Sequence, residues 1–189
     1  MKKQLGFFHD SHLCIGCNTC AIACKNQYHQ EVGVVWRRVV SLSEEIYPHR
    51  ERAFRSLACN HCENPVCLEV CPVQAYTKRE KDGVVIHNQD RCIGCGNCIR
   101  SCPYGVPQFN PVLKKAEKCS LCWQRLDAGL DPACVQACPT KALQLIDLAT
   151  FDDPSATQKA PGFPDFPKIN PSIRFREPRL PEVVRRETL

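Results

Sequence analysis

Sixteen cysteines fall into four groups of four along 189 residues, with none left over. The first group is Cys14, Cys17, Cys20 and Cys24, and the third is Cys92, Cys95, Cys98 and Cys102; both run C-x2-C-x2-C-x3-C. The second, Cys59, Cys62, Cys67 and Cys71, runs C-x2-C-x4-C-x3-C. In the fourth, Cys119, Cys122, Cys134 and Cys138, an eleven-residue insertion parts the second cysteine from the third. Pro72, Pro103 and Pro139 follow the last cysteine of groups two to four. With one Met and 7% aromatic residues, the chain has modest apolar bulk, so chemistry at these cysteines must help organise the interior.

Three chemistries compete for such a pattern. Disulfides suit a secreted scaffold, but the N-terminus shows no apolar signal segment, and bridges between cysteines so close in sequence strain their geometry. Zinc joins two separated C-x2-C knuckles, whereas the first and third groups each run four cysteines within eleven residues. A four-iron cubane fits better. Three closely spaced thiolates wrap one side of it in a tight turn whose backbone N–H groups approach the sulfurs. Gly16, Gly94 and Gly96 suit such turns. The fourth cysteine is expected on a short helical turn pointing away; in two-cluster ferredoxins it serves the other cluster. The Pro after it suits the first turn of a helix. Four 4Fe–4S clusters are therefore expected.

The formal charge of +5 does not argue for nucleic acid. Each oxidised cluster with four thiolates carries about 2−, so four contribute about −8 and bring the total to about −3. The extra Lys and Arg then compensate buried negative charge. No run reaches the ~18 apolar residues of a membrane helix. No nucleophile–base pair, phosphate loop or dinucleotide fingerprint is visible, which favours a relay over a catalyst. His61, inside a ligand loop, is expected to hydrogen-bond near a cluster, because the cysteines already complete the ligand count.

Between the groups run short strands. Ala53–Ala58 leads into group two. Ala75–Arg79 and Val84–His87 form a hairpin across Asp82-Gly83. Val106–Asn110 and Leu113–Glu117 repeat the pattern, and Ala142–Ile146 follows group four. Val32–Val40 reads as a strand packed on the cluster core, with a patch facing a partner as the alternative. The insertion with Trp123, Arg125 and a turn at Gly129–Pro132 suits either packing or a partner. From Asp152 onward, seven prolines with Phe163, Phe166 and Phe175 read as an extended arm lying on its own core or on a partner, its last residues disordered.

The text Gly6-Phe7-Phe8, Cys59-Asn60-His61-Cys62-Glu63, Lys78-Arg79-Glu80, Cys92-Ile93-Gly94-Cys95 and Cys102-Pro103-Tyr104-Gly105-Val106-Pro107-Gln108 resembles the four-cluster electron-transfer subunits of molybdenum oxidoreductases, the dimethyl-sulfoxide-reductase type above all. The resemblance covers residues 4–147. It implies an α+β fold of two ferredoxin-like lobes, that is, tandem two-cluster ferredoxin folds with short strands and single-turn helices. Residues 1–150 would hold the clusters: one lobe about 53–112, the other about 4–52 with 113–150. Residues 151–189 would form the Pro-rich arm. It also implies nested ligand sets. Cluster 1 takes Cys14, Cys17, Cys20 and Cys138; cluster 2 takes Cys24, Cys119, Cys122 and Cys134. Cluster 3 takes Cys59, Cys62, Cys67 and Cys102; cluster 4 takes Cys71, Cys92, Cys95 and Cys98. In nitrate-reductase relatives the position of Cys95 is Trp and the cluster has three irons; with Cys95 present, four are expected. Lys25, not Pro, follows Cys24.

The implied partners are a molybdopterin or tungstopterin catalytic subunit and an integral, quinone-reactive membrane subunit. The chain itself would be non-catalytic and peripheral to the cytoplasmic membrane. Export alongside a signal-bearing catalytic partner would leave the side open. The alternative is a relay for a hydrogenase, formate dehydrogenase or nitrite reductase system.

Overall fold

A computed structural model describes residues 2–42 and 53–178. Residues 43–52 and the expected disordered end of the arm lie outside the described residues. The chain is a mixed assembly of short strands and helices around the cysteines. It begins with β1 (Leu5–Asp10), α1 (Thr19–Gln27), β2 (Arg38–Ser41), β3 (Phe54–Leu57) and α2 (Val66–Glu69). Then come β4 (Tyr76–Lys78), β5 (Val85–His87), α3 (Asn97–Ser101), β6 (Gln108–Asn110) and β7 (Lys115–Glu117). It ends with α4 (Trp123–Asp127), α5 (Ala133–Gln136), β8 (Leu143–Asp147) and β9 (Ile173–Arg176).

β1 is the centre of a three-stranded sheet ordered β8-β1-β9. All six of its residues are buried, as suits a strand covered on both faces. It pairs antiparallel with β8, His9 opposite Leu143, and parallel with β9, Phe7 opposite Ile173. Gly6 permits the second pairing: a Cβ there would fall 2.0 Å from the carbonyl oxygen of Ser172. The other strands form antiparallel pairs, β2-β3, β4-β5 and β6-β7. The Asp82-Gly83 hairpin forms as its sequence signals, with Gly83 at φ 72°.

Helix α1 packs on α5, and α2 on α3. The third cysteine of each group, Cys20, Cys67, Cys98 or Cys134, sits on one of these four helices. The fourth cysteine departs from expectation. Only Cys24 is within a helix; Cys71, Cys102 and Cys138 follow a helix end, and their prolines open turns rather than helices. The expected strand at Val32–Val40 is also shorter. Only its end enters β2; Val34 and Arg37 are buried, while Val32 is exposed.

Residues 152–178 lie on the chain's own core and contribute β9. Phe175 is fully buried, edge-on to Phe163, with the Arg55 guanidinium over its face. Arg55 also donates to the Pro161 carbonyl and pairs with Glu177 at 3.2 Å. Arg176 bridges Asp10 at 2.5 Å and Asp153 at 2.6 Å. Phe175→Ala is expected to cost about 3–5 kcal/mol, because a large buried ring leaves a cavity. Thermal unfolding of the cluster-loaded protein should register this as a lowered midpoint; an unchanged midpoint would mean that β9 contributes nothing to the core.

Candidate cluster-binding site

All sixteen cysteines are within the described residues, and none forms a disulfide. One backbone device recurs in every group. The residue before the second cysteine has positive φ: Gly16 at 70°, His61 at 44°, Gly94 at 70° and Leu121 at 55°. This turn aims a backbone N–H back at the first thiol. His61 N donates to Cys59 Sγ at 3.5 Å, Leu121 N to Cys119 Sγ at 3.4 Å, and the Gly16 N–H bonds Cys14. A left-handed Leu121 or His61 costs about 1–2 kcal/mol, which only a demanding turn repays. The glycines signalled this geometry; the matching register of groups two and four was the signal for His61 and Leu121.

Further donors reach other thiols. Thr19 Oγ1 donates to Cys17 at 3.3 Å, Gln30 Nε2 to Cys24 at 3.3 Å, and Ala75 N to Cys71 at 3.2 Å. Cys102 accepts backbone N–H bonds from Val106, Tyr104 and Gly105. Such bonds favour negative charge on sulfur.

The cysteines gather across the groups. Cys14, Cys17, Cys20 and Cys138 line one cavity. Cys59, Cys62, Cys67 and Cys102 line another. Cys24 has Cys134 and Cys122 as electrostatic neighbours, and Cys119 has Cys24 and Cys134. Cys92 and Cys95 bear on Cys98, and Cys71 packs with Cys92 and Cys98 in one small apolar cluster. Among the described residues no three His, Cys, Asp or Glu side chains converge on the position of a single ion; the thiols surround spaces instead.

Burial pushes the pKa of Cys24 up to about 11 and of Cys67 to about 12, and raises those of Cys119 and Cys62. A buried thiol gives up its proton when a cationic core takes its place, so this donor set fits iron–sulfur clusters. Three buried or half-buried cations accompany it. Lys118 donates to the carbonyls of Val85 and Cys119, and its charge lowers the pKa of Cys67. Lys78 donates to the Cys62 carbonyl. Burial acts to lower the pKa of Arg37, but Cys134, Cys119, Cys20 and Cys24 outweigh it and raise the net value.

His61 is fully buried and accepts a hydrogen bond from Val85 N at Nδ1, 3.0 Å away. Burial and nearby Lys118 and Lys78 hold its pKa far below the usual range, so it is a neutral positioning group. The insertion in group four carries α4, and Arg125 donates there to the Asp131 carbonyl and to Gln27.

Turns of one design, thiols gathered around cavities and hydrogen bonds aimed at sulfur define an iron–sulfur protein of ferredoxin kind. The sequence matches the 4Fe-4S dicluster domain over residues 51–148 and a 4Fe-4S binding domain over residues 11–28. It is 42% identical over 151 residues to the B subunit of anaerobic dimethyl sulfoxide reductase of Escherichia coli, covering 76% of this protein and 73% of that one. It is 41% identical to YnfG, a probable anaerobic dimethyl sulfoxide reductase subunit of Escherichia coli, covering 76% and 74%. To protein NrfC, also of Escherichia coli, it is 40% identical, covering 81% and 68%. The chain belongs to this 4Fe-4S dicluster family and is an iron–sulfur electron-transfer subunit, not a catalytic one.

Gly94 tests the turn. Its Cβ would meet the Lys114 carbonyl oxygen at 2.2 Å, at a φ of +70°. Gly94→Ala is expected to lower iron and acid-labile sulfide per chain; a parental count in the purified variant would show that the turn is not needed to hold iron.

Proposed function

We propose that this chain holds four 4Fe–4S clusters in a line and relays electrons between a molybdopterin or tungstopterin catalytic subunit and a quinone-reactive membrane subunit. The ligand sets are Cys14, Cys17, Cys20 with Cys138; Cys24 with Cys119, Cys122, Cys134; Cys59, Cys62, Cys67 with Cys102; and Cys71 with Cys92, Cys95, Cys98. The observation that carries this reading is the cavity where Cys138 of the last group meets the first three cysteines of the first.

The order of the line rests on neighbours that cross from one set to the next. Cys134 has Cys20 beside it, Cys119 has Cys59, and Cys67 has Cys98. That supports the order first, second, third, fourth. The two ends favour contact with partners. Cys17 and Cys95 are exposed, with exposed Ile15 beside the first and exposed Ile93 and Phe109 near the second. When bound, the clusters supply reversible one-electron transfer; the chain supplies N–H donors, buried cations and exclusion of water. The finer architecture goes with this reading: a lobe about 53–112, a lobe of about 4–52 with 113–150, and the arm 151–189. So does a place peripheral to the membrane, since no helix among the described residues is long and apolar enough to cross one.

A second reading, a relay for a nitrite reductase system, has one observation in its favour, the 40% identity to NrfC. Co-purification separates the two. Molybdenum or tungsten with a membrane subunit supports the first; haem in the catalytic partner, without either metal, supports the second.

Two further outcomes are expected. The chain purified without oxygen should be brown, bleach with dithionite, and hold about sixteen irons and sixteen sulfides; a colourless protein with zinc would sink the cluster reading. Cys138→Ser should alter the cluster of the first group, and Cys24→Ser that of the fourth. Electron paramagnetic resonance should show a different signal lost in each; loss of the same signal in both would overturn the crossed pairing.

A further inference from the structure

Arg37 is one of the largest fully buried side chains in the molecule, at 1% exposure. It sits where the first and fourth cysteine groups meet. Its Nη1 donates to Ser56 Oγ at 2.9 Å, and that hydroxyl is 3.3 Å from Cys20 Sγ. Its guanidinium carbon lies 4.3 Å from the centroid of the Phe7 ring. Its charge acts on Cys24 and on Cys134. Among the described residues no carboxylate pairs with it; its Nε and Nη2 meet no oxygen or nitrogen acceptor, and its guanidinium reaches the Cys134 thiol.

An unpaired cation buried among apolar groups is costly and persists only beside a compensating charge. The groups around Arg37 that can become anionic are thiols from two of the proposed ligand sets. Cys20 belongs to the set closed by Cys138; Cys24, Cys119 and Cys134 belong to its neighbour. This rests on the ligand sets given under the proposed function.

We propose that Arg37 is a shared counter-charge between the first two clusters of the line and holds both at higher reduction potential than an uncharged residue would. The electrostatics fix the sign. Reduction adds one electron and no proton to either site, so each gains a negative charge beside a fixed positive one. A buried cation favours the reduced state of both, while each cluster once reduced repels the electron added to the other. Arg37 remains charged throughout, since a guanidinium is not deprotonated in proteins. It is a positioning and tuning residue: it ligates nothing and transfers nothing.

The test is a potentiometric titration of the purified, cluster-loaded chain, followed by electron paramagnetic resonance. Arg37→Met removes the charge and leaves an apolar side chain in apolar surroundings; Arg37→Lys keeps the charge and loses the planar fork. In Arg37→Met, the signals assigned through Cys138→Ser and Cys24→Ser should both move to lower potential. The reduced-to-oxidised ratio at the parental midpoint should fall about tenfold, equivalent to 59 mV for a one-electron couple. The other two signals should stay in place, and Arg37→Lys should stay near the parent. A Met variant with parental iron and unshifted potentials overturns the inference. So does an equal shift of all four signals. If the Met variant fails to load iron, Arg37→Gln, which keeps hydrogen-bond donors without the charge, is titrated in its place, and unshifted potentials there overturn the inference; if Arg37→Lys fails as well, shape and not charge is at work, and it falls. A parent chain without clusters would instead defeat the proposed function, which iron analysis of the parent distinguishes.

Discussion

The pairing of β1 with β8 is the interaction on which the rest of the molecule depends. β1 ends at Asp10, shortly before Cys14, and β8 begins at Leu143, shortly after Cys138. With His9 opposite Leu143, and Asp10 N donating to the Ala142 carbonyl at 2.8 Å, the two strands carry the first and last groups to one place. The hairpin of β4 and β5 does the same on a shorter scale. Tyr76 opposite His87 brings Cys71 toward Cys92. Strand pairing is thus the device that converts sequence distance into ligand proximity, and it explains why strands of three residues are sufficient here. They need only deliver the loops, because thiols and a metal core supply much of the interior.

That economy has an electrostatic consequence. The four clusters proposed here would bring about −8 into a small interior, against a formal +5 from the side chains. Surface lysines would be screened from it. The cations that matter are those buried near the thiols: Arg37, Lys118 and, half-buried, Lys78. Backbone N–H groups share the task through the repeated left-handed turn, which is why two groups tolerate a non-glycine residue there. The N–H bonds are local and act on one thiol each. The buried guanidinium of Arg37 acts on thiols of two groups together.

Much of this was legible in the sequence because it is local. Cysteine spacing, glycines at the turns of groups one and three, and the Asp82-Gly83 hairpin signal each act within a few residues. The parts that were not legible are non-local. Leu5–Asp10 is short and soon polar in sequence, and nothing near it says that it will be a central strand, β1, with partners at both ends of the chain. The parallel pairing of Phe7 with Ile173 leaves no mark on either segment beyond Gly6, whose absent side chain makes room for Ser172. Val32–Val40 misled because its apolar residues suggest a continuous strand. Instead, the segment buries Val34 and Arg37 as separate plugs.

The crossed ligand sets proposed here make folding and cluster insertion a single event. If the last cysteine of each group belongs to a neighbouring set, no set is complete until two distant groups have met. Iron cannot then be held fully by a partly folded chain, and binding it must displace the protons that burial keeps on thiols such as Cys67 and Cys119. Residues 152–178 tighten the same coupling. Ser172 accepts a hydrogen bond from Gln4 Nε2 and donates to the His61 carbonyl, so β9 fastens the N-terminal strand to the loop of group two. Losing these ties would loosen together the strand that leads into the first cysteine group and the loop of the second.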